Sequence, residues 1–223
     1  MDKLLSNIRI EVPQGIYIKD PQTSALGQKI ITGSIDLIDK IGFEAFTFKK
    51  LGVEIGSNES SIYRYFENKH KLLNYLSSWY WGWLEYRFVF ETHNIEDKTQ
   101  KLKKGIEVVT RTVQADSNFS FVDESMLNRI IINESSKSYL VKEVDLVNKE
   151  GYFETYKRLV KRLSDLIINV NPTYRAPLSL SSAIIENSLY QHFLKSHFKS
   201  ITDCKENYKP SEFFIDLTLK VLS

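Results

Sequence analysis

Residues 41–72, IGFEAFTFKKLGVEIGSNESSIYRYFENKHKL, read as two short helices joined by a tight turn, the second running straight into a third. Ile30, Ile31, Ile35, Ile38 and Ile41 recur at helical spacing, and Gly42 follows them, a residue that commonly stops a helix. Thr47 stands before Phe48, Leu51 and Ile55, spaced three and four apart, so its hydroxyl is placed to cap a helix of about eight residues that Gly56 ends. Asn58 is a second cap, and Ile62, Tyr65 and Phe66 give the next helix its inward face. Asn68 caps a fourth helix whose apolar stripe continues through Leu72, Leu73 and Leu76. Glu59, Ser60, Tyr63 and Arg64 are left pointing outward, an arrangement that presents one helix to a groove of DNA.

These spacings resemble the N-terminal domain of TetR-type transcriptional regulators, which carry an equivalent Gly-Phe, a capping Thr, a Gly turn and a Tyr-x-Tyr-Phe-x-x-Lys run. Here they are Gly42-Phe43, Thr47, Gly56 and Tyr63-Arg64-Tyr65-Phe66-Glu67-Asn68-Lys69, and the likeness spans residues 24–72. Ile55 stands where a small residue is usual, Ser57 in place of Val, Asn58 in place of a Ser or Thr cap, and Ser60 in place of Gly. Asn caps equally well and losing an interior Gly favours a helix, so Ile55 and Ser57 are the departures that bear on helix packing. The resemblance implies an all-α homodimeric repressor of palindromic double-stranded DNA, with a three-helix helix-turn-helix domain followed by a helical domain that binds a small-molecule effector and dimerises.

The residues expected at DNA are Thr47, Lys49, Asn58, Glu59, Ser60, Ser61, Tyr63, Arg64 and Lys69. Tyr63 and Lys69 are assigned to phosphates, and Glu59, Ser60 and Arg64 to base edges, where a carboxylate accepts from a cytosine amino group. Between residues 24 and 75 seven cations face six anions, so this is no polybasic arm. Distribution therefore matters more than the sum: Lys49 and Lys50 open one helix, Lys69 and Lys71 another, and Arg64 lies between them.

At 223 residues with 42% apolar content, 13% aromatic and a net charge of +2, the chain is long enough for one small and one medium domain with a buried core. A single cysteine, Cys204, excludes an internal disulfide. Residues 1–7 lack a basic segment followed by a long apolar one, and no apolar run approaches eighteen residues, so a cytoplasmic protein is expected. Prolines 13 and 21 precede the motif, none occurs from 22 to 171, and long helices are thereby permitted across the middle. Apolar periodicity predicts helices over 69–92, around Leu102 to Val113, near 122–132, over 138–169 with a bend or break at Gly151, and over 178–198 and 212–222. The expected division is an arm at 1–21, a DNA-binding domain at 22–68 and an effector and dimerisation domain at 69–223. In the arm, Ile8, Ile10 and Val12 alternate with Arg9 and Glu11, which reads as an extended segment packed on its own protein rather than in a minor groove.

Enzyme readings find little support. Glu67 and His70 have the Glu-x-x-His spacing of di-metal bundles, but no second such pair exists. Ser196 and Lys199 match Ser-x-x-Lys without its partner motifs, and His192 and His197, five apart, fall on different sides of a helix. No Gly-rich phosphate loop occurs, and neither a metal nor a cofactor is expected. The aromatic density from Trp79 to Phe90 exceeds what one helix face holds. The family likeness implies an effector cavity there, and Trp79, Trp83, Tyr86, Phe153 and Tyr156 are its candidates. The last two helices carry Leu180, Ile184, Leu189, Phe193, Phe213 and Leu217, more apolar surface than a chain end uses internally, and are the expected dimer interface.

Overall fold

The computed structural model of the chain describes residues 9–113, 121–142 and 144–223, and within them it is all-α, with an isolated bridge between Lys205 and Tyr208. The α-helices are α1 (Ala25–Ala45), α2 (Phe48–Glu54), α3 (Glu59–Tyr63), α4 (Lys69–Thr92), α5 (Lys98–Thr110), α6 (Glu124–Glu134), α7 (Ser136–Tyr139), α8 (Val144–Lys149), α9 (Glu154–Val170), α10 (Pro177–His197) and α11 (Pro210–Leu222). They form two compact units: residues up to Tyr80 together with Val113–Glu154, and Trp81–Thr112 together with Thr155–Ser223.

In the first unit, Ser24 caps α1 by accepting from the Gly27 N–H at 3.1 Å; of the predicted stripe, Ile30, Ile31, Ile35 and Ile38 are buried and Ile41 is half-buried. Gly42 takes φ +77, breaks the helix as expected, and sends Phe43 and Phe46 into the core. α6 packs on α1 and is held there by Arg129, which donates twice to Asp39 (2.7 and 3.0 Å), and by Glu134, which accepts from the Phe43 N–H at 3.1 Å. The arm is extended and packed on its own unit: Ile10, Val12 and Ile16 are buried while Arg9 and Glu11 face solvent. Ile8, the first member of the predicted alternation, lies outside the described residues.

In the second unit α5 packs on α10 and α11. Gly105 permits close packing, since a Cβ there would lie 2.9 Å from both Phe88 and Leu166. Two carboxylates, buried Glu85 and half-buried Glu91, are saturated by arginine: Glu85 by Arg158 and Arg162, and Glu91 by Arg87 and Arg111 with Lys104 beside it. Burial pushes the Glu91 carboxyl up, but the Arg111 and Arg87 hydrogen bonds and charges outweigh it and hold it at about 2. His192 Nε2 donates to the Thr110 carbonyl at 2.7 Å, and burial lowers its pKa.

The periodic stretch from 138 to 169 resolves into three helices, and Gly151, at φ +84, stands at the break before the last. α5 ends at Thr110, so Val113, read as its last apolar position, lies beyond it and joins the other unit.

Candidate nucleic-acid interface

α2 begins at Thr47, whose Oγ1 accepts from the Lys50 N–H at 3.2 Å, and ends at Ile55 before Gly56, which turns the chain at φ +65. The turn closes tightly, because the Ser57 N–H reaches the Gly52 carbonyl at 2.8 Å. A Cβ on Gly52 would meet that residue's carbonyl oxygen at 2.8 Å, so the turn needs glycine at both 52 and 56. Ile55 is accommodated from the opposite side: a Cβ at Gly33 would lie 2.4 Å from its Cγ2, and the bare backbone of α1 makes the room the bulky residue needs.

Asn58 caps α3, its Oδ1 accepting from both the Ser61 N–H and the Ser61 hydroxyl at 2.7 Å. Ile62, Tyr65 and Phe66 are buried, as the spacing predicts, while Ser60, Tyr63 and Arg64 are exposed and Glu59 is half-buried in the first turn. The Tyr63 ring stands edge-on to Phe48 at 5.0 Å, so one side of this half-exposed ring ties α3 to the start of α2. Asn68 caps α4 through the Lys71 N–H at 2.9 Å. The helix-turn-helix therefore carries three capped N-termini, those of α2, α3 and α4.

The basic residues divide into two groups. Lys49 and Arg64 are exposed. Lys50 donates to the Ala45 carbonyl at 2.7 Å. Lys69, expected on a phosphate, turns its ammonium to the carbonyls of Phe43 (3.1 Å), Glu44 (3.2 Å) and Phe46 (3.4 Å), over the Phe43 ring. These are the carbonyls freed where Gly42 breaks α1, so this lysine caps the end of that helix. Lys71 reaches the Gly15 carbonyl at 3.2 Å and the Tyr152 hydroxyl. No local pattern announces the uses of Lys69 and Lys71, because each joins residues that sequence separates by 23 or more.

Of the aromatic candidates, Trp79 is buried and Phe153 half-buried in the first unit. In the second, Trp83 is buried, Tyr86 stacks on Phe90 at 6.1 Å, and Tyr156 meets Trp81 at 5.1 Å. That unit also has a cavity of about 190 Å³ lined by Lys195, Lys199, Thr202, Cys204, Lys205 and Glu206, none of them among these candidates. Of the expected dimer residues, Ile184 (1% exposed) and Leu189 (8%) are consumed inside the unit and offer a partner almost no surface. Leu180, Phe193 and Phe213 are half-buried, and Leu217 is exposed. Around Phe193 lies a contiguous patch: Tyr190 stacks on it at 6.3 Å, and His197 and Phe198 meet it with tilted rings at 4.5 and 5.9 Å, with Tyr190 and Phe198 more than half exposed.

Among the described residues no helix is long and apolar enough to cross a membrane, and no three His, Cys, Asp or Glu side chains converge as a metal site.

Residues 30–76 match the sequence model of the bacterial regulatory proteins of the tetR family. Among solved structures, the chain is similar to AibR in complex with isovaleryl coenzyme A and operator DNA, at 15% identity over 87% of this chain and 97% of that one, with a TM-score of 0.58. It is similar to the fatty acid degradation regulator FadR from Bacillus halodurans at 16% identity over 87% and 93%, with a TM-score of 0.60. It is also similar to the superantigen PfiT at 14% identity over 92% and 99%, with a TM-score of 0.60. Identities this low establish a shared fold, which does not by itself carry function. No curated protein shows significant similarity to the chain.

Proposed function

We propose that this chain, a DNA-binding transcriptional regulator of the tetR family, binds a two-fold symmetric duplex as a homodimer and represses until a small-molecule effector releases it. The observation that carries the DNA reading is the outer face of α3, where Ser60, Tyr63 and Arg64 are exposed on a helix locked by its cap. In this reading Arg64 and Ser60 meet base edges. Thr47, Lys49 and the Tyr63 hydroxyl meet phosphates, helped by the positive end of α2. Glu59 accepts from a cytosine amino group, and its competing role is favourable charge at a helix N-terminus. Asn58 and Ser61 are engaged with each other and Lys69 with three carbonyls, so these three position the helices rather than touch DNA directly.

The dimer reading rests on the second unit's exposed apolar residues. Tyr190, Phe193 and Phe198 on one segment, and Leu217 and Val221 on α11, form faces that a monomer leaves in water. Trp83, Tyr86 and Tyr156 are assigned to the effector. Supporting a ligand with a polar group, Ser164 Oγ on α9 and Thr218 Oγ1 on α11 are buried without a hydrogen-bond partner among the described residues. Two-fold dimers reach successive major grooves when their recognition helices lie about 34 Å apart, so an effector that changes this spacing lowers affinity at both half-sites together.

Selecting the preferred duplex from a random pool tests the reading. Palindromic half-sites about one helical turn apart, bound with a steep salt dependence, are expected. Selection of an asymmetric sequence overturns the two-fold mode, and the absence of any selected sequence overturns base reading by α3.

A further inference from the structure

We propose that the N-terminal arm is part of the DNA-binding surface and that Lys19 is a phosphate contact which the arm sets beside Arg64. The inference rests on α3 being the helix that enters the groove. The Ile18 N–H donates to the Tyr65 carbonyl at 2.8 Å, so the arm runs alongside the residues that leave α3. Lys19 is exposed, and its Nζ lies 5.3 Å from the centroid of the Tyr65 ring. That ring is fixed, because its hydroxyl bonds the Ser24 hydroxyl at 2.8 Å, and Ser24 is the cap of α1.

The arm is held on both sides of Lys19. On one side the Gly15 carbonyl accepts from the Tyr152 hydroxyl at 2.6 Å and from Lys71 at 3.2 Å, Ile16 is buried, and Tyr17 meets Tyr75 edge-on at 5.9 Å. On the other, Pro21 crosses α1 so closely that a Cβ on Gly27 would lie 2.2 Å from the Pro21 carbonyl oxygen. A cation on so fixed a backbone loses little freedom on meeting a phosphate.

Charge in the arm favours the same role. Asp20, the neighbour of Lys19, is paired with Arg9 and accepts from the Gln22 N–H at 2.8 Å, leaving Glu11 as the other anion among the arm's described residues. The motif itself is short of outward cations, since Lys50, Lys69 and Lys71 all donate to backbone carbonyls. Phosphate neutralisation supplies most non-specific affinity, and Lys19 adds a charge where three of the motif's lysines are already engaged by carbonyls.

The test compares the full-length protein with Lys19→Ala, Lys19→Arg and Arg64→Ala on its selected duplex and on an unrelated one, over a series of salt concentrations. Lys19→Ala is expected to weaken both duplexes by the same factor, roughly three- to tenfold, and to lower the slope of log K against log salt by about one. Lys19→Arg should retain both affinity and slope. Tyr152→Phe, which removes the hydroxyl from Gly15, should weaken binding in the wild-type background and much less in Lys19→Ala, as a positioning residue does. Wild-type affinity and slope in Lys19→Ala overturn the proposal, and so does a weaker affinity with an unchanged slope, which marks a merely structural contact with Tyr65. Where Lys19→Ala gives either overturning result, Arg64→Ala separates the two failures: if it loses discrimination between the duplexes, only the arm's role falls, and if it discriminates as the wild type does, the α3 reading fails with it.

Discussion

At the residue scale, glycines decide how closely the helices of the DNA-binding unit approach. Ile55 is larger than the residue usual before this turn, and a reading of the local sequence leaves its packing open. The bare Cα of Gly33, one helix away, takes up the added volume. Gly33→Ala gains roughly 1 kcal/mol of helix propensity but forces Ile55 to move, an overpacking that costs about 1–3 kcal/mol. A net loss of about 1 kcal/mol is expected by chemical denaturation. In an Ile55→Ala background the same substitution should become neutral or stabilising, and equal effects in the two backgrounds would falsify the pairing. Lys69 teaches the complementary lesson: its type and position suggest a phosphate ligand, while its ammonium caps the broken end of α1.

At the element scale, α3 has five residues, too few to hold together by its own hydrogen bonds. Its cap and its buried face hold it. Asn58→Ala removes the acceptor for both Ser61 groups and should cost about 1 kcal/mol of stability. It should weaken operator binding more than unrelated duplex, because base contacts demand an ordered α3; a uniform loss on both would mark Asn58 as a phosphate contact instead. In the second unit, α4 and α5 are joined through Glu91, whose carboxyl is held at about 2. A depressed folded-state pKa stabilises the fold above the ordinary carboxylate range, and that stability is lost as pH falls toward 2. His192, whose pKa burial lowers, adds stability that is complete above the ordinary histidine value and declines on acidification below it. Glu91→Gln should therefore lower the melting temperature near neutral pH, by about 2 kcal/mol of stability, and flatten its dependence on pH below about 4. A variant whose melting point tracks the wild type at every pH rules out the carboxylate's contribution.

At the scale of the whole molecule, burial separates core from contact surface in the last two helices. Ile184→Glu places a charge in a site that is 1% exposed and should abolish the fold. Tyr190→Glu with Phe198→Glu changes residues that are more than half exposed, so the helical fold should survive. Sedimentation at micromolar concentration is expected to show a monomer, and operator affinity should fall at least a hundredfold as the second half-site is lost. A double variant that stays dimeric moves the interface to another face.

The helix-turn-helix is legible in the sequence because its signals are local. Thr47, Asn58 and Asn68 cap the helices they precede, Gly42 and Gly56 take the positive φ their places suggest, and the Ile62, Tyr65 and Phe66 face is buried. Each depends on interactions within about four residues, which composition and spacing encode directly. The spread of α6–α8 onto the unit that holds α1, and the inward turn of Lys69 and Lys71, were decided by tertiary structure. So was the assignment of Ile184 to the core while Tyr190 faces out. In these cases the partner lies tens of residues away, and hydrophobicity is the same whether a side chain meets its own core or another chain. Periodicity marks which face of a helix is apolar; only packing decides what covers it.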